Sequence, residues 1–339
     1  MKKFILILLG IVVSLTAGAQ SNLYFNNYWQ ETYLINPASI DPLGSDWRLG
    51  LGTKKQWWSM PGSPVTGQFA AVYCNEAYHL QAGLGILADK IGYTYTTDIS
   101  LSYAYIIFFK NAQLNLGVSL HWQNLFYDKS QMITEESGDD LIDLLGDNLW
   151  KQGKLNSDFG VEYSITDPAS GTLLFGLVSK NFIPSSVFSS DLEIFPNSNY
   201  LYGRYRSGNR NNLRQKSTSN FDYSIVAAGI HTMLPGKTNF LQGIFNVNIH
   251  WNYDDYIFTA GLLYGTKSEI GIILGLDIVY NFSASFVYQY NWTVRKDIFN
   301  PVGSFELVLT YRIQPKGSDK PCKKGGFCLP ERKAPKSHY

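Results

Sequence analysis

The residues that could do chemistry in this chain of 339 residues do not form a recognisable active site. The five histidines are widely separated, and none has partners at the spacing of a catalytic or metal-binding motif. They are His79, His121, His231, His250 and His338. A nucleophile elbow, a phosphate-binding loop and a zinc-binding helix motif are all missing from the sequence. The sequence therefore predicts no catalytic residue, no metal site, no cofactor and no enzymatic activity.

Charged residues at alternating strand positions are the second set of candidates for chemistry. We expect them to face the inside of a barrel, and they are Arg48, Asp158, Glu162, Asp277, Glu306 and Arg312. Such a set could relay protons, but internal salt bridges are the expected filling of a polar barrel interior. We favour the structural interpretation.

The cysteines give little support to a metal site. Cys322 and Cys328 lie close together near the end of the chain and could pair, whereas Cys74 falls within a predicted strand. Zinc is the weaker alternative because the only nearby histidine is His338. A disulfide or free thiols are favoured.

The start of the chain has the pattern of an export signal. Met1-Lys2-Lys3 is followed by an apolar run over 4–13 and then by Ala17-Gly18-Ala19. The run is much shorter than the ~20 residues that span a bilayer as a helix. We therefore predict a signal peptide over 1–19, cleaved near Ala19.

Composition favours an exported, strand-rich protein. Only 16% of the residues are charged and 15% are aromatic, whereas roughly 25% charged is usual for soluble globular chains. A formal net charge of +1 argues against a nucleic-acid partner.

Strict alternation along the chain predicts the elements that position the charged residues. In the segment 114–123 every even position is apolar and every odd one is polar or glycine. An apolar side chain at nearly every second position recurs over 155–166, 241–253, 284–292 and 305–313. The apolar faces often end in tryptophan or tyrosine, as transmembrane strands do at the membrane interfaces. This pattern predicts an all-β, transmembrane antiparallel β-barrel over 47–314 rather than a soluble sandwich.

Thirteen candidate strands can be counted, beginning near residues 47, 66, 79, 95, 112, 155, 171, 222, 239, 256, 269, 283 and 303. A bacterial single-chain barrel has an even number of strands. We expect the missing strand within 182–220, around residues 200–205. The prediction is fourteen strands, with twelve as the alternative.

Two segments flank the predicted barrel. Residues 20–46 are so rich in aromatic side chains that they should leave water, either as a plug in the lumen or as a periplasmic segment packed under the barrel mouth. Residues 315–339 contain lysines and prolines and are predicted to form a flexible basic tail. A short amphipathic helix is predicted over 139–146, within a long connection over 125–153.

A basic stretch after residue 201 is the predicted partner contact. It would suit an acidic partner or lipopolysaccharide phosphates, although plain solubility explains it equally well. The basic loop is expected over Arg204 to Lys216, after the strand predicted around residues 200–205, and the contact residues would be Tyr202, Arg204, Tyr205, Arg206, Arg210 and Arg214.

Short fragments follow one another along the chain in a recognisable order. They are Asn36-Pro37-Ala38, Lys55-Gln56-Trp57, Pro61 to Thr66, Asp89-Lys90-Ile91-Gly92, Tyr288-Gln289-Tyr290-Asn291 and Gly303 to Leu307. This series resembles the PorP/SprF family of type IX secretion and gliding-motility outer-membrane proteins of Bacteroidetes. The resemblance points to structural positions and not to catalytic ones: Asn36, Pro37, Trp57, Pro61, Gly62, Pro64, Thr66, Asp89, Gly92, Gly303, Ser304 and Glu306.

The chain departs from the family pattern in a few places. Phe305 stands where the family usually has histidine, Asn291 stands where aspartate is common, and a cysteine-containing tail follows the last strand. Any role that depends on that histidine or aspartate does not carry over.

The resemblance implies a barrel in the outer membrane that supports secretion or surface anchoring of a large cargo, such as an adhesin. Its partners would be membrane lipids, type IX secretion components and that cargo. The alternative is a passive channel for a small hydrophobic or sugar substrate, which tyrosine-rich loops would also fit.

Overall fold

The alternation of apolar and polar side chains becomes a set of long antiparallel strands in the computed structural model of the protein. The structure describes residues 25–39, 47–58, 60–75, 78–128, 149–167, 170–182, 197–207, 220–233, 239–253, 256–266, 269–278, 281–291 and 303–313. The predicted signal peptide with its cleavage site, the predicted tail over 315–339 and the predicted helix over 139–146 lie outside the described residues.

Fourteen strands were found, as the sequence predicts. They are β1 (Trp47–Lys55), β2 (Val65–Asn75), β3 (Leu80–Ile91), β4 (Thr94–Phe108), β5 (Ala112–Asp128), β6 (Leu149–Asp167), β7 (Gly171–Lys180), β8 (Ser198–Arg206), β9 (Asn220–Met233), β10 (Asn239–Tyr253), β11 (Tyr256–Gly265), β12 (Glu269–Ile278), β13 (Phe282–Asn291) and β14 (Ser304–Ile313). The strand missing from the sequence count is β8, which lies in the stretch where it is predicted.

Each strand pairs antiparallel with its neighbours in sequence, and β1 pairs with β14 to close the sheet into a barrel. Closure removes the free edges that an open sheet would present. In hydrocarbon it also gives every strand backbone a hydrogen-bonding partner on both sides, which a lipid-exposed sheet requires.

The two faces of the barrel wall differ as the alternation predicts. On β5, Leu116 and Val118 are exposed on the outside, whereas Asn115 and Ser119 are buried on the inside. On β10, Val247 is exposed and Asn246 is fully buried. The outside therefore presents a nearly continuous apolar surface to lipid.

The strands β5 and β6 are longer than the sequence predicts, with 17 and 19 residues. Pairing continues from Trp122–Leu155 to Asp128–Leu149, within the part of 125–153 that is predicted to be a loop. This boundary was wrong because the apolar–polar alternation ends where the outer face no longer has to be apolar, although the backbone hydrogen bonds between the two strands continue.

No helix in the described part of the chain is long and apolar enough to cross a membrane.

The two ends of the barrel differ in the length of their connections. The end where β1 begins and β14 stops, the terminal end, has connections of 4, 3, 3, 13, 2 and 3 residues. The opposite end, the loop end, has connections of 9, 2, 20, 17, 5, 3 and 12 residues. Outer-membrane barrels have short periplasmic turns and longer outside loops. We therefore assign the terminal end to the periplasm and the loop end to the cell surface.

Aromatic side chains form a girdle on the outer wall at the terminal end. Trp251 stacks on Phe221 with ring centroids 6.3 Å apart, and it also contacts Tyr253 and Phe258. Such girdles mark the membrane interfaces of outer-membrane barrels, where a ring can be apolar on one side and hydrated on the other.

Residues 25–39 lie inside the barrel as a plug, which was one of the two predicted placements. The segment contains one 3-10 turn, Thr32–Leu34, and is otherwise irregular. Near the terminal end its Ser39 carbonyl accepts a hydrogen bond from Gln81, and near the loop end its Asn26 contacts Glu306. The plug therefore rises towards the loop end as residue numbers fall.

The position of the lipid-facing wall can be tested by depth along one strand. Val247→Arg, at the middle of β10, should destabilise the folded barrel by ~2 to 4 kcal/mol, whereas Tyr253→Arg at the interface should cost about 0 to 1 kcal/mol. The measurement is urea-dependent folding into lipid vesicles. Equal effects at the two positions would contradict the proposed membrane placement.

Candidate functional site

The plug is fastened to the barrel wall by polar contacts on most of the strands. Hydrogen bonds and ion pairs join it to residues on eight strands. They are Arg48 on β1, Gln81 on β3, Ser102 on β4, Val161 on β6, Lys180 on β7, Tyr202 on β8, Ser285 on β13, and Glu306 and Thr310 on β14. The lumen is thus organised around a fixed segment.

Glu306 is the central anchor of the plug at the loop end. Its fully buried carboxylate accepts hydrogen bonds from the backbone N–H groups of Asn26 and Asn27, all at 3.0 Å. The Nζ of Lys54 lies 2.9 Å from Glu306 Oε1 and supplies the opposite charge. A buried carboxylate is stable only when it is paired and hydrogen-bonded in this way. Glu306 therefore couples the first strand, the last strand and the plug.

A second anchor lies further along the plug. Thr310 donates a hydrogen bond to Glu31 at 2.8 Å, and Arg48 Nε lies 3.8 Å from the other oxygen of that carboxylate. The Tyr33 hydroxyl is 2.5 Å from Ser102 Oγ.

The Asn36-Pro37-Ala38 fragment seats the plug near the middle of β5, β6 and β8. Asn36 Nδ2 donates to the Tyr202 hydroxyl at 2.9 Å, and that hydroxyl donates to Glu162 Oε2 at 2.7 Å. The same amide donates to the Val161 carbonyl at 3.2 Å. The Asn36 side chain also accepts a hydrogen bond from its own chain at Ala38 N, which fixes the turn.

Glycines in the wall make room for that fragment. A Cβ atom on Gly117 would overlap the backbone of Pro37 and Ala38, and one on Gly160 would overlap the side chain of Asn36. Backbone and plug approach each other here more closely than any larger residue permits.

The lumen is divided into two chemically different halves. On the side of β7 to β13, the plug residues Tyr28 and Trp29 pack into an apolar cluster. Tyr28 also packs edge-on against Tyr202, with ring centroids 6.1 Å apart. The remaining buried members of the cluster are Val178, Tyr200, Val226, Ile230, Ile244, Leu263, Ile273 and Val287.

The polar half contains an ionic cluster beside the plug. His121 contacts Asp98 at 2.9 Å and Asp158 at 2.7 Å, and Lys180 Nζ lies 3.6 Å from Asp158. A cavity of about 50 Å³ lies between this cluster and the plug.

The predicted lumen charges form separate pairs along the barrel. Asp158 belongs to the His121 cluster, Glu162 binds Tyr202, and Glu306 binds Lys54. Arg48 pairs with Glu31, and Arg312 donates to Ser283 at 3.2 Å. These contacts fit the structural interpretation, because each of these partners stabilises the wall or the plug.

The family-pattern residues at the loop end form a braced rim. Thr66 donates to Asp89 at 2.5 Å, Gly92 N donates to the Gly62 carbonyl at 3.1 Å, and Trp58 N donates to the Gly303 carbonyl at 3.4 Å. The remaining pattern residues here are Trp57, Pro61, Pro64 and Ser304, with Glu306 just below them. Asn36 and Pro37 lie apart from this rim, in the plug.

The β1–β2 connection within this rim is held in a strained conformation. Trp57 has φ 45°, which is costly for a residue with a side chain. Gly62 with φ 71° and Gly92 with φ 58° adopt the same region at little cost. The strain is retained because neighbouring strands fix the connection on both sides.

The predicted partner contacts lie mostly on a strand. Tyr202, Arg204 and Arg206 belong to β8 and face the lumen, so the strand predicted around 200–205 is confirmed, whereas the predicted basic loop was wrong over Arg204–Arg206. The basic side chains suggested a solvated loop. They alternate, however, with lipid-facing residues such as Leu201 and Tyr205, which is the pattern of a strand. Tyr202 and Arg206 are buried, Arg210 and Arg214 lie outside the described residues, and contact with a partner stays a prediction.

Sequence reasoning missed several anchors. Lys54 and Gln81 lie at alternating strand positions that face the lumen, and this could have identified them. Asn26, Asn27 and Glu31 lie in an irregular segment without any periodic pattern.

Within the described residues no group of histidine, cysteine, aspartate and glutamate could hold a metal ion. Cys74 is buried on β2 against Ile106, and Cys322 and Cys328 lie outside the described part.

The central anchor can be tested by removing one charge. Glu306→Gln leaves Lys54 without its ion-pair partner and should destabilise the barrel by about 3 to 5 kcal/mol. The double variant Lys54→Gln/Glu306→Gln removes both charges and should recover part of this loss. Urea unfolding in detergent micelles measures both, and a double variant as unstable as the sum of the two single variants would contradict the pairing.

The seat of the plug can be tested at one glycine. Gly117→Ala forces Pro37 and Ala38 to move and should speed amide exchange in residues 25–39 about tenfold, because overpacking loosens the seat. Gly67→Ala is the matched control, since no atom lies within 4 Å of a Cβ there. Hydrogen–deuterium exchange with mass spectrometry makes the comparison, and similar exchange in both variants would refute the seat.

Three solved structures are similar to this chain over most of their length. The CymD monoaromatic hydrocarbon channel is 15% identical with a TM-score of 0.42, and the alignment covers 88% of this chain and 95% of that one. The Ralstonia pickettii toluene transporter TbuX is 12% identical with a TM-score of 0.44 and the same coverage of 88% and 95%. The TodX deltaS2S3 mutant monoaromatic hydrocarbon channel is 10% identical with a TM-score of 0.47, covering 84% and 94%. At these scores the likeness carries no argument about what this chain does.

The search of curated proteins finds no match. A family model does match, over residues 17–311, and it is described as "Type IX secretion system membrane protein PorP/SprF". The match spans both the plug and all fourteen strands, and it confirms the resemblance seen in the short sequence fragments. The chain is therefore an outer-membrane β-barrel that belongs to the PorP/SprF family of type IX secretion system membrane proteins.

Proposed function

We propose that this barrel is an anchoring component of type IX secretion, which supports delivery of a large secreted protein and holds it at the cell surface. An adhesin used in gliding is the cargo that fits best. The observation that carries the proposal is the plug, because a lumen occupied by residues 25–39 is suited to a rigid platform and not to passage of cargo.

The anchoring of the plug supports a static role. Contacts on eight strands would all have to break before the lumen could open, and Glu306 alone holds two plug N–H groups. Buried charged hydrogen bonds are costly to break without replacement. A passive channel would need a path past the plug, which these contacts hold inside the lumen.

The loop end offers a rigid surface for a cargo at the outside of the cell. Trp57 is 39% exposed and Trp58 is 50% exposed, and the connection that carries them is braced by hydrogen bonds to Gly303 and between Gly62 and Gly92. Tryptophan is enriched in protein contacts that contribute strongly to binding. Because the connection is already ordered, little conformational entropy is lost when a partner binds.

The terminal end suits the periplasmic secretion components. The connection 207–219 contains Arg210, Arg214 and Lys216 and no acidic residue, and the tail 315–339 has seven lysines and arginines against two acids. Arg204 and Arg206 line the lumen close to this end, where Arg206 contacts Asp222 at 3.3 Å. An acidic partner surface would complement these segments.

A deletion strain complemented with variants tests the proposal. Deletion should remove a large cargo from the surface proteome, measured by mass spectrometry of labelled surface proteins, while uptake of small nutrients stays normal. Trp57→Ala/Trp58→Ala should release cargo into the medium, and Arg210→Ala/Arg214→Ala should leave cargo in the periplasm.

Trp47→Ala is the control, because Trp47 is similarly exposed but lies on the outer wall at the terminal end. It should leave cargo display unchanged, and barrel abundance should be equal in all strains. A deletion strain with a complete surface proteome that fails to take up one small nutrient would overturn the proposal in favour of a channel.

A further inference from the structure

The outer wall of the barrel is almost free of charged residues, and the few that occur lie near its two ends. Among outward-facing strand positions whose side chains the structure describes, lysine, arginine, aspartate and glutamate occur at Lys55, Lys90 and Asp167. Asp167 is the last residue of β6, at the terminal end. The two lysines both lie at the loop end.

Lys55 and Lys90 form one row across the outside of the sheet. Lys55 pairs with Val65 on β2, and Val65 pairs with Lys90 on β3. Adjacent strands are about 4.8 Å apart, so the two Cα atoms are roughly 10 Å apart. Both side chains therefore reach the same patch of the membrane surface.

Aromatic rings border the two lysines. Lys90 Nζ lies 4.8 Å from the centroid of the Tyr95 ring, which itself packs against Phe126 at 5.8 Å. On the other side, Phe305 pairs with Lys55. Aromatic side chains occupy the headgroup level of a membrane, which places the ammonium groups at the depth of lipid phosphates.

The outward-facing side chains below this row change in polarity towards the membrane centre. The next row towards the membrane centre consists of small or hydroxyl side chains, which are Thr53, Gly67, Ala88 and Thr97. The row after that is fully apolar, with Leu51, Phe69, Ile86 and Ile99. This row of small and hydroxyl-bearing side chains forms a shallow furrow between the two lysines and the apolar wall.

We propose that the outer face of β1 to β4 binds a phosphorylated glycolipid of the outer leaflet, with Lys55 and Lys90 on its phosphates. The furrow then receives the sugar unit, where the hydroxyls of Thr53 and Thr97 can donate hydrogen bonds. The acyl chains lie along the apolar row. This site does not depend on the proposed anchoring role, since it lies on the wall and not in the lumen.

The charge of the site supports this occupant over other lipids. No ion pair joins Lys55 or Lys90 to an acidic side chain in the part of the chain that the structure describes. An uncharged headgroup would therefore add no counter-charge to either ammonium group, and a lipid with one phosphate would satisfy one of them. A glycolipid with two phosphates matches both lysines, as expected from charge complementarity at a membrane surface. The position at the loop end matches the leaflet in which such lipids reside.

Native mass spectrometry of the full-length barrel in detergent tests the site with diphosphoryl lipid A as the probe. The wild-type protein should retain one lipid, and Lys55→Gln/Lys90→Gln should bind it about 30-fold more weakly, because each lysine near an anionic surface contributes roughly fivefold. Lys55→Arg/Lys90→Arg keeps the charges and should retain binding. Lys110→Gln, an exposed lysine at the terminal end, is the matched control and should bind as wild type.

Heat-modifiable migration on a denaturing gel checks that every variant is folded, and all four proteins should pass because these side chains lie on the outer surface. Equal retention of lipid A by the wild type and the double Gln variant would overturn the proposal. Equal binding of fully dephosphorylated lipid A, or displacement of the lipid by equimolar inorganic phosphate, would overturn it as well.

Discussion

The structure depends on the requirement that backbone N–H and C=O groups have partners within hydrocarbon, which a sheet meets only by closing on itself. The pairing of β1 with β14 provides that closure. An even number of strands then places both ends of the wall at the same end of the barrel. Alternation sends apolar side chains to lipid and leaves polar ones inside, where water is scarce and each polar group needs a partner. The plug supplies many of those partners.

Plug and wall are consequently one structure. Gly117 and Gly160 leave space that the Asn36 to Ala38 fragment fills, while Tyr28 and Trp29 complete an apolar cluster that the wall alone could not close. The family-pattern residues divide in the same way. Those at the loop end brace a rim, and Asn36 and Pro37 seat the plug. Both groups hold parts of the structure in fixed positions.

Much of the barrel could be predicted from the sequence, because alternation is a local property and parity fixes which side chains face inward. The position of β8 followed from the even-number rule, and Glu162 and Glu306 were placed correctly in the lumen. The extension of β5 and β6 was missed because strands beyond the membrane lose the apolar signal. Lys54 as the partner of Glu306 could not be foreseen, since their contact depends on the register of the closing pair. The placement of the plug was one of two alternatives, because aromatic content shows that a segment leaves water but not where it goes.

The contact between Glu306 and Asn26 joins residues 280 positions apart in sequence, which has a consequence for how the barrel is made. The plug is synthesised before any strand, yet its main acceptor belongs to the last one. Until β14 arrives, Lys54 is an unpaired cation and the N–H groups of Asn26 and Asn27 lack their carboxylate. The final strand therefore completes the wall and the interior in a single step, and a chain truncated before residue 304 would lose both at once. The last strand is therefore needed both to close the wall and to hold the plug.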